Sequence, residues 1–299
     1  MNVVVTGASG LIGTALCDAL RRRGDTVVRL KRSEDAVGES LWHPIEGMID
    51  DSVIASADAV VHLAGVGIGD KRWSGEYRAA IRRSRVDGTR LIASSICRAQ
   101  NPPLLVSGSA VGFYGHREDE TLAESSTPGD AGEFLVSVTT DWEHATKIAQ
   151  DCSAAVAHLR TGIVMAATGG ALGKMLLPYR LGLGGKIGAG TQWFPWVSIR
   201  DEVRAILFII DNRLTGPFNV VSPGIVRQKE FAKALGAVLR RPTVVPLPKF
   251  VGRALLGRDR ADSLLFASQR IQPSRLTDAG FIFEDVELEP ALRHTLKRQ

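Results

Sequence analysis

Three glycines at intervals of three residues, Gly7, Gly10 and Gly13, lie near the start of the chain. They follow a short apolar run typical of a buried strand and precede apolar residues at helical spacing. Glycines between a strand and a helix permit a tight turn and let the backbone approach a pyrophosphate, which the free N–H groups of the helix N-terminus then bind. The turn therefore predicts a dinucleotide site with contacts from Gly7, Ser9, Gly10, Leu11, Ile12 and Gly13. The alternative is a glycine-rich turn without a ligand.

Two cations and a hydroxyl, Lys31, Arg32 and Ser33, follow the second predicted strand. Sites for NAD usually hold an acid at this point to bind the ribose 2′-hydroxyl, whereas cations suit the 2′-phosphate of NADP. The sequence therefore favours NADP(H) as the cofactor. Ordinary surface cations at the end of a strand are the alternative.

The residues that end the third predicted strand, Leu63, Ala64 and Gly65, are suited to a cofactor that passes over the edge of the sheet. Packing alone would explain them equally well. His62, which precedes them, is expected to be a structural residue and not a catalyst.

Short apolar runs alternate with amphipathic stretches through the first half of the chain, which is typical of βαβ units. Strands are predicted at 3–5, 26–30, 59–63, 104–106 and 155–159, with helices at about 75–98 and 134–150 between them. Glycines at 169–190 and prolines at 242–248 indicate a less regular segment. We therefore predict an α/β chain: a Rossmann-like doubly wound parallel sheet with a smaller C-terminal α+β substrate lobe. The Rossmann domain is expected to take residues 1–165 and about 196–221, and the lobe about 166–195 and 222–299.

Composition excludes several classes of protein. The 299 residues carry a net charge of +5 without a dense basic cluster, so nucleic acid is not an expected partner. No apolar run is long enough for a membrane span, and no group of residues has metal-ligand spacing. The three cysteines, Cys17, Cys97 and Cys152, are far apart and are expected to be small core residues in a reducing compartment. With a folded strand in place of a signal peptide at the start, these features predict a cytoplasmic protein.

Further segments carry a resemblance to a known family. Together with the glycine turn and the end of the third strand, they are Lys71-Arg72-Trp73, Ser84-Arg85, 107–115, Trp142-Glu143, Arg160-Thr161-Gly162, 181–190, 196–201 and 269–273. The chain resembles the extended short-chain dehydrogenases/reductases, and within them an atypical "epimerase family" subgroup related to human short-chain dehydrogenase/reductase family 39U. The resemblance implies a Rossmann domain, a C-terminal substrate lobe and NADP(H). It also adds Arg85, Ser107, Arg160, Gly162 and Val164 to the expected cofactor contacts.

The catalytic residues of that superfamily are a Tyr, a Lys four residues later, a Ser and an Asn. Ser109 matches the Ser. Counting back from Glu143 places Leu135 and Thr139 at the Tyr and Lys positions, and Arg85 stands at the Asn position. The resemblance therefore supports cofactor binding better than it supports epimerisation. Tyr114 or water is the alternative proton donor.

Candidate substrate contacts are Arg72, Trp73, Trp193 and Trp196, with Glu124 and Asp201 as acids of interest. Packing between elements is the alternative for the tryptophans, and capping of a helix for Asp201. We predict an NADP(H)-dependent oxidoreductase acting on an unknown small molecule, with a homodimer as a possible assembly. The alternatives are a nucleotide-sugar epimerase with a non-standard acid/base and a non-catalytic NADP(H)-sensing or interaction protein.

Overall fold

A computed structural model describes residues 1–31 and 40–297. Arg32 and Ser33, both predicted cofactor contacts, lie outside the described residues.

The strands in chain order are β1 (Asn2–Thr6), β2 (Thr26–Lys31), β3 (Ser40–His43), β4 (Met48–Ile49), β5 (Ala59–His62), β6 (Leu104–Ala110), β7 (Thr121–Leu122), β8 (Val156–Thr161), β9 (Ile163–Met165), β10 (Trp193–Phe194), β11 (Trp196–Ser198), β12 (Gly216–Val220), β13 (Val226–Arg227) and β14 (Arg270–Ile271).

The α-helices are α1 (Leu11–Arg22), α2 (Asp51–Ala55), α3 (Gly75–Arg98), α4 (Phe134–Ala145), α5 (Lys147–Asp151), α6 (Gly170–Arg180), α7 (Ile199–Asp211), α8 (Gln228–Leu239), α9 (Lys249–Leu256), α10 (Arg258–Ala261), α11 (Ser274–Asp278) and α12 (Leu288–Lys297). A 3-10 turn spans Val111–Tyr114 and a π-helical turn spans Asp262–Phe266. Across the described ranges, no helix combines the length and the apolar character that a membrane span requires.

The main sheet has the strand order β12-β8-β6-β5-β1-β2-β3-β4 among the described residues. β1 pairs in parallel with β2 on one side and with β5 on the other. The chain thus builds outward from β1 first to β2 and β3, and then to β5 and β6, so the strand order reverses beside β1. Ligands of doubly wound sheets bind outside the carboxyl ends of the strands at this reversal. The predicted Rossmann-like α/β fold is confirmed.

The chain divides into two compact units. Unit 1 comprises 1–109, 138–159 and 203–218, and unit 2 comprises 110–137, 160–202 and 219–299. These boundaries differ from the predicted ones. The segment that follows β6 (110–137) and the one that begins near the end of β8 (160–202) both belong to unit 2, together with the C-terminal residues. Their long-range pairing explains this difference: β7 pairs with β14, and the Gln269 side chain donates to the carbonyl of Val111.

Aliphatic side chains fill the core of unit 1, where Val4, Val60, Ile92 and Leu105 are at most 2% exposed. The β-branched residues on the central strands suit a sheet that is covered on both faces. Unit 2 has its own core, which contains Leu172, Phe194, Trp196, Phe231 and Leu292.

Cys97 and Cys152 form a disulfide inside unit 1, where the end of α3 lies beside the residue that follows α5. The expectation that all three cysteines are small core residues is therefore wrong for these two, which are bonded to each other, with Cys152 exposed. The sequence shows only that they are 55 residues apart, and the contact between the two helix ends is a long-range one. Cys17 forms no disulfide among the described residues and is buried, as predicted.

Candidate functional site

The glycine turn between β1 and α1 leaves no room for a Cβ at Gly7 or at Gly13. A Cβ on Gly7 would lie 2.7 Å from the carbonyl carbon of Leu63, and Gly7 has a φ of +66°. A Cβ on Gly13 would lie 2.9 Å from the Cα of Ala8 and would overlap the carbonyl oxygen of Gly7. Gly7 and Gly13 are thus required by the tight turn and by its close packing, whereas the exposed Gly10 leaves the backbone open to the close approach of a phosphate.

The N-terminus of α1 adds donors to this turn. Gly10 is the N-cap residue, makes no side-chain capping bond, and is followed by a first turn without acidic residues. Ser9 and Gly10 are exposed, and Leu11 and Ile12 are half-buried. The N–H groups of the first turn of a helix have no intrahelical acceptor, so an anion is a favoured partner here.

Lys31 ends β2, one strand away from the turn, and lies half-buried opposite Leu41 of β3. Its position at the carboxyl end of the strand is the one from which a cation can bind a 2′-phosphate.

The end of β5 meets the turn through a small polar network. Thr6 Oγ1 and His62 Nδ1 are hydrogen-bonded at 2.7 Å, and the Ala64 N–H donates to Thr6 Oγ1. Burial, helped by the nearby charge of Arg85, lowers the pKa of His62 to about 4. The ring is therefore neutral near pH 7 and orders the strand end, in agreement with the structural role expected for it.

Arg85 of α3 lies against the backbone at Gly65. A Cβ on Gly65 would be 3.3 Å from the guanidinium carbon. Nη1 donates to the carbonyls of Val66 (2.9 Å) and Ile81 (3.2 Å). The other side of the guanidinium faces the ring of Trp142, with Cζ 4.9 Å from the centroid. Burial lowers the pKa of Arg85 to about 10, so the group is still charged at neutral pH.

Trp142 can form this platform because β6 carries a glycine beside it. A Cβ on Gly108 would lie 2.8 Å from the indole ring. The flanking serines are buried: Ser107 donates to the carbonyl of Gly108, and Ser109 donates to Glu143 Oε1 at 2.7 Å. The hydroxyl of Ser109 is thus bound to the carboxylate on α4 inside unit 1. Neither tyrosine nor lysine occurs in α4.

In unit 2, the hydroxyl of Tyr114 lies in a buried polar cluster. The residue is 0% exposed. The hydroxyl oxygen accepts a hydrogen bond from Arg160 Nη1 at 3.0 Å. The hydroxyl can donate to Asn219 Oδ1 (2.6 Å) or to the carbonyl of Ala123 (3.1 Å). Burial raises the pKa of Tyr114 against the opposing effect of the Arg160 charge. The guanidinium also stacks on Phe113.

Glu124 connects this cluster to more distant segments of unit 2. Its Oε1 accepts from the backbone N–H groups of Asn219 (3.0 Å) and Arg275 (3.3 Å). Asp201 has a similar role, since its carboxylate accepts from the N–H groups of Glu284 and Asp285. Both acids therefore bind backbone in unit 2.

The segment after β8 is closely packed at Gly162. Its N–H donates to the carbonyl of Val220, and a Cβ would lie 2.8 Å from Val221. Val164 is half-buried in β9 and pairs with Val197.

The candidate substrate residues are divided between the units. Arg72 is exposed in unit 1, where Trp73 is 9% exposed and donates from Nε1 to the carbonyl of Ile68. Trp196 is 0% exposed in the core of unit 2, so packing explains it better than a pocket surface does. Trp193 lies between Arg227 and Arg270 and donates to Asp119 at 2.9 Å.

A cavity of about 520 Å³ opens in unit 2 beside Trp193. Its lining is mixed in charge and includes His116, Asp119, Gln192, Arg227, Lys249 and Phe266. Its volume is within the range of small-molecule sites.

Comparison with known proteins identifies the family. Residues 3–221 match the model of the NAD dependent epimerase/dehydratase family, and residues 247–295 match a domain of unknown function, DUF1731. The chain belongs to the NAD dependent epimerase/dehydratase family.

Within this family, the chain is similar to proteins that share nearly its whole length. It is 39% identical over 298 residues to an epimerase family protein of Mycobacterium bovis, covering 99% of this chain and 98% of the relative. A crystal structure of human epimerase family protein SDR39U1 (isoform 2) with NADPH is 35% identical, with a TM-score of 0.91 and full coverage of both chains. A nucleoside-diphosphate sugar epimerase from Corynebacterium glutamicum is 34% identical, with a TM-score of 0.81, and this chain covers 59% of it.

Three features of this family member were not foreseen from its sequence: the Ser109–Glu143 pair, the platform that Trp142 makes for Arg85, and the buried acid Glu202. Glu202 is 0% exposed, and its Oε1 accepts from Thr161 at 2.8 Å. Burial raises its pKa to about 8. The only signal in the sequence was an acid within an otherwise apolar helix face.

Proposed function

We propose that this chain binds NADP(H) at the glycine turn of unit 1 and is an oxidoreductase that acts on a small molecule. The observation that carries the proposal is the tight glycine turn of 7–13 between β1 and α1, in which Gly7 and Gly13 have no room for a Cβ and the exposed Gly10 begins the helix. Lys31 at the end of β2 supports the phosphorylated cofactor. The human relative whose structure contains NADPH supports it independently.

The bound nicotinamide would supply or accept a hydride. In this arrangement the turn binds the pyrophosphate through backbone N–H groups, and Lys31 binds the 2′-phosphate together with Arg32 and Ser33. Leu63, Ala64, Gly65, Ser107, Arg160, Gly162 and Val164 stay predicted contacts of the cofactor.

The origin of the substrate proton is a separate part of the proposal. Ser109 and Tyr114 stay predicted donors, but each hydroxyl is already bound, to Glu143 and to Asn219 respectively. A tyrosinate at position 114 would be surrounded by Asn219 Oδ1, the carbonyl of Ala123 and the Arg160 guanidinium. The two oxygens carry no proton, and a guanidinium does not give one up near neutral pH. We therefore propose water as the proton source and a positioning role for Tyr114.

Saturating NADPH is expected to raise the melting temperature of the chain more than NADH does at equal concentration. A ligand at 100 times its Kd stabilises the folded state by about 2.7 kcal/mol. Lys31→Ala and Arg32→Ala should remove the advantage of NADPH and keep the shift with NADH. Gly13→Ala should abolish both shifts because its Cβ overlaps the carbonyl of Gly7.

The matched control is Gly75→Ala, whose Cβ meets nothing within 4 Å at the start of α3. It should keep both shifts. Equal shifts with NADH and NADPH would contradict the phosphate assignment, and no shift with either would contradict cofactor binding altogether.

Tyr114→Phe is expected to lower the stability of the chain by about 1–3 kcal/mol and to change the turnover number only a few-fold. The loss in stability arises because Arg160 and Asn219 lose a buried hydrogen-bond partner. Thermal unfolding gives the first quantity, and NADPH oxidation with the best substrate of a carbonyl panel gives the second. A turnover number that falls by about two orders of magnitude or more at unchanged KM would instead make Tyr114 the proton donor.

A second candidate function is epimerisation with a non-standard acid/base, which the sugar epimerase name of the C. glutamicum relative favours. An epimerase would interconvert a nucleotide sugar and keep its cofactor through the cycle, whereas an oxidoreductase consumes it in stoichiometric amounts. Cofactor binding without turnover on any carbonyl or nucleotide sugar would indicate an NADP(H)-sensing protein.

A cytoplasmic location and a homodimer complete the proposal. The former has to accommodate the Cys97–Cys152 disulfide, which is unusual in a reducing compartment, and the long helix α3 offers a surface for the latter. Fractionation of cells that express the chain and light scattering of the purified protein test the two points.

A further inference from the structure

Arg85 is a cation held by neutral groups. Its hydrogen bonds go to the backbone carbonyls of Val66 and Ile81, and its planar face lies on Trp142. Across residues 1–31 and 40–297, no carboxylate pairs with it. Glu143, next to its platform, is instead engaged by Ser109. A half-buried guanidinium without a carboxylate exerts a positive potential that no partner cancels.

The charge of Arg85 lies at the end of β5, on the side of β1 opposite to β2. Lys31 ends β2, so the adenosine half of a dinucleotide would lie over that strand. The other half must then extend past β1 toward the ends of β5 and β6. Arg85 touches the backbone at Gly65, directly after β5. The nicotinamide half of the cofactor would therefore meet this charge.

The two redox states of the cofactor differ in charge at that half. The nicotinamide ring is cationic in NADP⁺ and neutral in NADPH, whereas the phosphates are the same in both. His62, the other titratable residue at the end of β5, is neutral near pH 7 and adds nothing to the difference. Arg85 therefore acts on the oxidised ring and not on the reduced one.

We propose that Arg85 makes the site select the reduced cofactor, so that NADPH binds about tenfold more tightly than NADP⁺. This inference rests on the proposed NADP(H) function. It favours reduction of the substrate as the direction of the reaction, since the site would bind NADPH and release NADP⁺. The same tenfold ratio raises the two-electron potential of the bound couple by about 30 mV.

The test measures the Kd values of NADPH and NADP⁺ for the full chain by calorimetry. The wild-type ratio should be about ten, and Arg85→Met should bring it near one. Arg85→Gln, which keeps a donor for the two carbonyls without the charge, should do the same, and Arg85→Lys should keep most of the ratio. Arg83→Met is the matched control, since Arg83 is exposed on the same helix.

Lys31→Ala separates the two halves of the site. It should weaken both cofactors by the same factor and leave the ratio unchanged, because the 2′-phosphate is common to both. A wild-type ratio near one, or a ratio unaffected by Arg85→Gln, would overturn the inference while the proposed function stands. No binding of either cofactor by the wild type would overturn the proposed function as well.

Discussion

Replacing Glu202 by glutamine should make the chain more stable relative to the wild type as the pH rises from 5 to 9. Glu202 is fully buried, and Thr161 is its hydrogen-bond donor, while Oε2 has no partner among the described residues. Burial raises the pKa of this carboxyl from 4.5 to about 8. The folded chain therefore keeps a proton that the unfolded chain releases at neutral pH.

The direction of this pH dependence follows from which state of the chain, folded or unfolded, keeps the Glu202 proton. Below pH 4.5 the Glu202 carboxyl is protonated in both the folded and the unfolded chain, so its ionisation does not change the free energy of unfolding. Between pH 4.5 and about 8, only the unfolded state ionises, so the free energy of unfolding falls as the pH rises. Above that range the loss is complete, at about 5 kcal/mol for a shift of this size. That is comparable to the whole stability of many domains.

Melting temperatures of wild type and Glu202→Gln between pH 5 and 9 check this prediction. Glutamine keeps the acceptor for Thr161, and any constant cost of its amide cancels in the dependence on pH. Glu46→Gln, which replaces a carboxylate at an exposed turn, is the control. If the difference between Glu202→Gln and the wild type were the same at every pH, the Glu202 carboxyl would ionise without cost in the folded chain.

Reduction of the Cys97–Cys152 disulfide should lower the stability of the chain by about 4 kcal/mol. The bond closes a loop of 55 residues that contains β6, α4 and α5. In the chain-entropy description, cross-linking restricts the unfolded chain, and loops of this length correspond to stabilisation of this size. The ends of α3 and α5 should separate more readily once the thiols are free.

Thermal unfolding with and without a phosphine reductant measures the effect. Cys97→Ala should melt at the lower temperature in both conditions, and Cys17→Ala should keep the full response to the reductant. Alkylation of the unfolded, unreduced wild type should label one thiol, that of Cys17. Three labelled thiols would contradict the disulfide and would agree with a reducing compartment.

Local patterns predicted the parts of this fold that depend on neighbouring residues. The alternation of short apolar runs indicated where the central strands lie along the chain, and the limits predicted for the long helix, about 75–98, are those of α3. The glycine turn was predictable for the same reason, because its spacing encodes the strand, the turn and the helix that follows. The preference for the phosphorylated cofactor needed only the residues that end the second strand, and the family resemblance needed only short motifs, spread along nearly the whole chain.

Contacts between segments that are distant along the chain could not be predicted from the sequence. The pairing of β7 with β14, which shifts residues after β6 into unit 2, joins segments about 150 residues apart along the chain. Trp196 was a candidate for a pocket because tryptophan serves both cores and binding surfaces, and its burial could not be known from its position. The disulfide and the ionisation of Glu202 likewise depend on partners that only the folded chain brings near.

The packing at Gly65 and Gly108 limits which substitutions the sequence can accept during evolution. Gly65 lies against Arg85, and Gly108 lies against Trp142, on which Arg85 rests. A Cβ gained at Gly108 would lie 2.8 Å from the indole and would displace Trp142, whereas at Gly65 a shift of the Arg85 guanidinium by a few tenths of an ångström would make room. Positions 108 and 142 should therefore change together among relatives, since the indole fills the space that a side chain at position 108 would need.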